Sequence, residues 1–183
     1  MKKRLIILSD LWGFEEAVWM HSYQKILNPY FEIEYFDSRK LVDLDLSDNS
    51  EGRLHARFVN GGIDRGVYKL GLQEKETIIV LAFSVGGVIA WKAGLKGLNI
   101  STLYAISSTR LRYEKEKPDC KCVLYFGAND RYKPDAKWFQ DLNLDFNLIE
   151  DKEHEMYREE DFAESLCQKI IKEQTEAGNQ LIN

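Results

Sequence analysis

The segment from Thr77 to Trp91, TIIVLAFSVGGVIAW, constrains the fold more than any other part of the chain. A β-branched apolar run ends at Ser84, and an apolar helical run begins at once. Ala82 and Gly86 stand two positions away on either side. This pattern predicts a strand that turns abruptly into a helix. A larger side chain at either flanking position would strike the opposite arm of the turn. Such a turn holds the serine hydroxyl clear of both elements. A serine so placed becomes a nucleophile only with a base and an acid beside it.

Strand and helix signals alternate along the rest of the chain. Arg4–Ser9 predicts a short strand of the continuously apolar kind that is buried on both faces. A helix is expected over Phe14–Leu27, ended by Asn28-Pro29, then a strand over Phe31–Phe36. The acidic stretch Asp37–Ser50 reads as a loop. Helical turns follow to about Gln73, broken at Gly61-Gly62, with Ile63, Val67 and Leu70 on one face. Further strands are expected at Thr77–Phe83, Ile100–Ile106, Lys121–Phe126 and Asp145–Ile149. Val88, Ile89 and Ala93 should face inward from the helix after Ser84. A short helix near Asp135–Gln140 and a closing helix from about Glu155 to Gln174 complete the order, before a polar tail that should fray. Repeated βα alternation implies an α/β fold, a three-layer α/β/α sandwich on a mostly parallel sheet of about six strands. With no linker and no repeat, residues 1–183 read as a single domain.

Bulk properties exclude several function classes. A formal net charge of −5 argues against nucleic acid or an anionic membrane as the main partner. The three cysteines, Cys120, Cys122 and Cys167, are too few for a disulfide framework and are expected as buried thiols. The apolar run after Met1-Lys-Lys-Arg4 stops at Asp10, short of the roughly 7–15 residues of an export signal core. No stretch approaches the ~20 apolar residues of a membrane span. A cytoplasmic location is the expectation.

In a parallel sheet, functional groups gather at the carboxyl ends of the strands. Ser84 ends the third strand. Asp130 follows the fifth, within Gly127-Ala-Asn-Asp-Arg-Tyr-Lys-Pro134. His154 follows the sixth, within Leu148-Ile-Glu-Asp-Lys-Glu-His154. The chain order is therefore Ser, Asp, His. Other readings of single residues remain open: Asp135 is a weak rival to Asp130, and His21 and His55 read as helix-surface residues. Arg110, Arg112, Lys115 and Lys117 form a basic cluster after the fourth strand, either a solvated segment or a feature of the mouth.

The combination resembles the α/β-hydrolase superfamily, whose triad runs in this order. The turn at Ser84 resembles its nucleophile elbow, with Ala82 in place of the usual first glycine. Residues 127–134 resemble its Gly-x-x-Asp-x-x-x-Pro acid loop, and residues 148–154 its histidine loop, with Glu153 where glycine is usual. The resemblance spans Leu5 to about Ile171. It implies Ser84 as nucleophile, His154 as base and Asp130 as the acid that orients it. It also implies an oxyanion hole from the backbone N–H groups of Val85 and Trp12, since Trp12-Gly-Phe-Glu-Glu-Ala-Val-Trp19 resembles the His-Gly-Trp-Gly loop of some carboxylesterases. Leu11, Phe83, Ser107 and Tyr132 are the expected pocket residues, and no metal or cofactor is called for. The gap from Ser107 to Cys120 is too short for a lid domain, so an open, shallow site is expected. The implied function is hydrolysis of a carboxylic ester or thioester of a small or carrier-bound acyl group. The alternative is a non-catalytic module of the same fold that binds a ligand or partner. A flavodoxin-like nucleotide binder lacks its glycine-rich phosphate fingerprint.

Overall fold

In the computed structural model, which describes residues 2–15, 17–44 and 50–179, the strands form one sheet in the order β2-β1-β3-β4-β5-β6. They are β1 (Lys3–Leu8), β2 (Phe31–Phe36), β3 (Ile78–Phe83), β4 (Ile100–Ile106), β5 (Lys121–Gly127) and β6 (Phe146–Ile149). Every pairing is parallel. The helices are α1 (Met20–Leu27), α2 (Ser38–Leu41), α3 (Glu51–Arg57), α4 (Ile63–Gln73), α5 (Val85–Leu95), α6 (Ala136–Asp141) and α7 (Glu160–Asn179).

Successive strand side chains point to opposite faces, and the two faces carry separate cores. Ile6, Leu8, Val80, Ala82, Ala105 and Phe126 pack with residues of α2, α4, α5 and α6. Leu5, Ile7, Leu81, Phe83, Tyr104 and Ile106 pack with α1 and α7. The result is the expected three-layer sandwich, with a sheet that is wholly parallel. Helix α5 is buried almost all round, which explains why its sequence has no polar face. No helix among the described residues is long and apolar enough to cross a membrane.

Four local expectations are corrected. The first helix begins at Met20 and not at Phe14, because the preceding chain docks on Asp37. The Phe14 N–H donates to Asp37 Oδ2 at 2.8 Å. Gly13 has φ +78°, and a Cβ there would lie 2.5 Å from the same oxygen. Asp37 also caps α2 by accepting from the N–H groups of Arg39 and Lys40, so part of the expected loop is helical; residues 45–49 of it lie outside the described residues. The closing helix starts at Glu160 because residues His154–Arg158 form a separate 3-10 turn. Cys167 is buried, but Cys120 and Cys122 are only half-buried. These two sit at the amino end of β5, away from the Ser84 end, with sulfurs 3.8 Å apart.

The break at Gly61 is present: Asn60 and Gly61 leave helical geometry, Gly61 with φ +101°. Ile63, Val67 and Leu70 are buried on α4, and Val88, Ile89 and Ala93 on α5. Residues 180–183, in the expected tail, lie outside the described residues. Strand β1 has β2 on one side and β3 on the other, so the chain leaves it in both directions and opens a crevice at the carboxyl ends of β1 and β3.

Candidate active site

Ser84 follows β3 with φ +48° and ψ −115°, a conformation an L-residue holds only when its surroundings enforce it. Its N–H donates to the Ile106 carbonyl at 2.8 Å, tying the turn to β4. Glycines make the room. A Cβ at Gly86 would lie 2.4 Å from the Ser9 carbonyl oxygen, and one at Gly87 would lie 1.9 Å from Ser108 Oγ. The hydroxyl does not cap α5. It lies instead 3.1 Å from His154 Nε2.

Asp130 sits two residues beyond Ala128, where the β5 exit loop packs against the β6 exit loop. The Ala128 N–H donates to the Ile149 carbonyl and the Asn129 N–H to the Lys152 carbonyl, each at 2.9 Å. Asp130 Oδ1 accepts from the Tyr132 N–H at 2.9 Å, and Oδ2 accepts from His154 Nδ1 at 2.7 Å. Because a carboxylate can only accept, this contact puts the imidazole proton on Nδ1 and leaves the Nε2 lone pair facing Ser84. Burial works to raise the Asp130 pKa, but the hydrogen bonds from His154 and the Tyr132 N–H prevail and hold it below the ordinary carboxylate value. The Asp130 side chain is 1% exposed and that of His154 34%. The acid is thus shielded while the imidazole stays open to a ligand.

Asp135, the rival acid, caps α6 by accepting from the Trp138 N–H, and His21 is exposed on α1. His55 is exposed on α3 as expected, and α3 also brings it to the wall of the cleft that holds Ser84 and His154.

That cleft has a volume of about 790 Å³ and is lined by residues including Leu11, Phe58, Val85, Val88, Thr109 and Tyr132. The β4–β5 connection is short and carries only the 3-10 turn Thr109–Tyr113, but α3, from the β2–β3 connection, supplies a wall through Glu51, Gly52 and His55. Two expected pocket residues are elsewhere. Phe83 is fully buried, its ring 4.9 Å from Trp19 and 5.0 Å from Tyr23, because it points to the α1–α7 face. Ser107 is also fully buried, at φ +50°. Leu11 and Tyr132 line the cleft.

The oxyanion assignment needs correction at one of its two donors. Val85 opens α5, where N–H groups lack intrahelical acceptors and the helix presents its positive end. The Trp12 N–H, however, donates to Asp10 Oδ1 at 2.9 Å, and Trp12 does not line the cleft. Leu11, one residue earlier, does, and its N–H meets no acceptor among the described residues. The aspartate reaching forward two residues is what occupies the Trp12 N–H.

Asp10 is a residue that sequence reasoning missed. It is 1% exposed. Its Oδ2 accepts from the Tyr157 hydroxyl and from Arg158 Nη2, each at 3.0 Å. Burial, then the nearby Asp10 charge, pushes the Tyr157 phenol well above its ordinary pKa, so it stays a neutral donor. One carboxylate therefore ties the loop after β1 to the turn that begins at His154. The available signal was a charged residue two positions after the apolar run Leu5–Leu8. Asp10→Asn is expected to cost about 1–3 kcal/mol of stability, because a buried charge-assisted contact is lost. It should also lower kcat roughly tenfold through loop displacement. Denaturant unfolding and ester turnover measured on the same sample check both.

No protein-family model matches the chain, and no curated protein matches it by sequence. Solved structures do match. A proposed hydrolase of the α/β superfamily from Xanthomonas campestris superposes with a TM-score of 0.67 at 15% identity, covering 94% of this chain and 99% of that one. A proposed dienelactone hydrolase from Klebsiella pneumoniae gives 0.69 at 10% identity, covering 93% and 85%. Mouse α/β hydrolase domain-containing protein 10 gives 0.61 at 12% identity, covering 95% and 90%. The chain has the α/β-hydrolase fold, in a small form with no lid domain among the described residues.

Proposed function

We propose that this protein is a serine hydrolase that cleaves a carboxylic ester or thioester of a small or carrier-bound acyl group. The observation that carries this reading is the continuous hydrogen-bonded chain Ser84–His154–Asp130, assembled from the exits of β3, β6 and β5. Ser84 Oγ attacks the acyl carbon while His154 Nε2 takes the hydroxyl proton. The carbonyl oxygen becomes an anion held by the N–H groups of Val85 and Leu11; one such donor is typically worth about 2.7–4 kcal/mol in the transition state. The protonated imidazole, steadied by Asp130, gives its proton to the leaving alcohol or thiol. Water then attacks the acyl-enzyme by the same route, releasing the acid and restoring Ser84.

A fluorophosphonate probe tests the reading directly. The wild-type protein should be labelled at Ser84, and Ser84→Ala and His154→Ala should not. A folded wild-type sample that takes no label would reject the hydrolase reading and leave a ligand-binding module of the same fold.

A further inference from the structure

The acidic and basic groups of the cleft belong to different elements. Glu51 and His55 come from α3 and Glu155 from the turn after β6, whereas Arg110 and Arg112 come from the turn after β4. The bonding of these two arginines differs from that of Arg4 and Arg158. Arg4 pairs with Glu74, and Arg158 with Asp10 and Glu155. Arg112 instead donates to uncharged groups: the carbonyls of Thr109 and Tyr132 at 2.8 and 3.1 Å, and the Tyr113 hydroxyl at 2.8 Å. Its guanidinium lies 4.3 Å from the centre of the Tyr113 ring. The Arg110 guanidinium lies 5.0 Å from the same ring. Among the described residues neither arginine makes an ion pair with a carboxylate, in a chain with 30 acidic residues against 25 basic ones. Two cations thus stand over the cleft with their charge unspent.

The cleft that these arginines share with Ser84 also has apolar lining, from Leu11, Phe58, Val85 and Val88. Apolar walls suit a methylene chain, and an arginine at their margin suits a carboxylate by its planar, forked donors. We propose that Arg110, braced beside Arg112, binds a carboxylate at the far end of the acyl chain. The substrate class is then an ester or thioester of a dicarboxylic acid with one end free. This inference rests on the hydrolase reading for its chemistry but on separate residues for its specificity. Arg112 is fixed by three hydrogen bonds and supplies a positive background, while Arg110, which donates none among the described residues, is the group that turns toward the ligand.

The test compares mono-p-nitrophenyl adipate with p-nitrophenyl hexanoate, two esters with the same six-carbon chain and leaving group. Wild-type kcat/KM should favour the adipate. Arg110→Gln should lower adipate kcat/KM about fivefold, as expected for one partly exposed charge pair, and leave the hexanoate within about twofold on the same grounds. Arg110→Lys should retain part of the preference. Raising the salt concentration should shrink it in the wild type. Equal turnover of both esters by the wild type, or an equal loss on both in Arg110→Gln, would overturn the proposal. Binding to Ser84→Ala, which needs no catalysis, separates this outcome from failure of the hydrolase reading. Monomethyl adipate should bind that variant more tightly than methyl hexanoate by calorimetry, and equal or reversed affinities would overturn the proposal even if no ester were hydrolysed.

Discussion

Asp130→Asn is expected to lower kcat by about 10⁴-fold while leaving the fold intact, the scale seen when the orienting acid of a serine triad is replaced by its amide. The geometry gives the reason. Asp130 Oδ2 accepts from His154 Nδ1 at 2.7 Å, and Oδ1 accepts from the Tyr132 N–H at 2.9 Å. An asparagine can keep its carbonyl oxygen on only one of these donors. With the oxygen on the Tyr132 N–H, the amide NH₂ faces Nδ1 and drives the imidazole proton to Nε2, where it blocks the base. The side chain's volume is unchanged, so packing in this 1% exposed position is preserved. Steady-state kinetics on a p-nitrophenyl ester, with a melting curve as the control for folding, measure the effect.

The same carboxylate makes stability depend on acid. Its folded pKa lies below the ordinary value, so the unfolded chain binds the proton first as pH falls. Its contribution to stability is therefore complete above the unfolded carboxylate pKa of about 3.9 and is lost as pH drops through the lower folded value. Asp130→Asn should remove this part of the acid-unfolding slope.

Gly127→Ala should be the most disruptive single-methyl substitution at the site. A Cβ there would lie 2.3 Å from the Lys152 carbonyl oxygen and 2.5 Å from that of Glu153. Both atoms are backbone, so no side chain can rotate away. The β6 exit loop must move, and His154 is the next residue. A shift of about 1 Å at a reacting group can cost about 10²-fold in rate, and overpacking of this kind typically costs about 1–3 kcal/mol. The variant should therefore show a much lower kcat and a lower denaturation midpoint. Wild-type kcat in a folded Gly127→Ala protein would show that the two loops are not mechanically linked.

Much of this arrangement was legible in local sequence because it is encoded in short-range sterics. The run from Ile78 to Phe83, the small residues around Ser84 and the glycine before Asp130 each specify a turn within a few residues. Alternation of strands and helices then brought the exits of β3, β5 and β6 to one edge. Ser84, Asp130 and His154 could be named together before any coordinate was known, because each lies within five residues of the end of its strand. The Gly61 break and the apolar face of α4 were legible for the same reason.

What failed depended on contacts between segments far apart in the chain. Nothing near Phe14 reveals that Asp37 will take its N–H and delay α1. Phe83 and Ser84 are neighbours in sequence, yet strand alternation sends the phenylalanine into the α1–α7 core. The Trp12 N–H is turned away from the expected role because Asp10, held by Tyr157 and Arg158 from the other end of the chain, captures it. His55 is exposed on its helix as expected, and it also reaches the cleft wall because α3 borders the cleft. The sequence by itself determined a parallel α/β sheet with a serine, an acid and a histidine at its carboxyl edge, since those features follow from local backbone geometry and periodicity. Only the tertiary structure decided which residues wall the cleft and which charges line it, because those depend on long-range hydrogen bonds and packing that no short window of sequence contains.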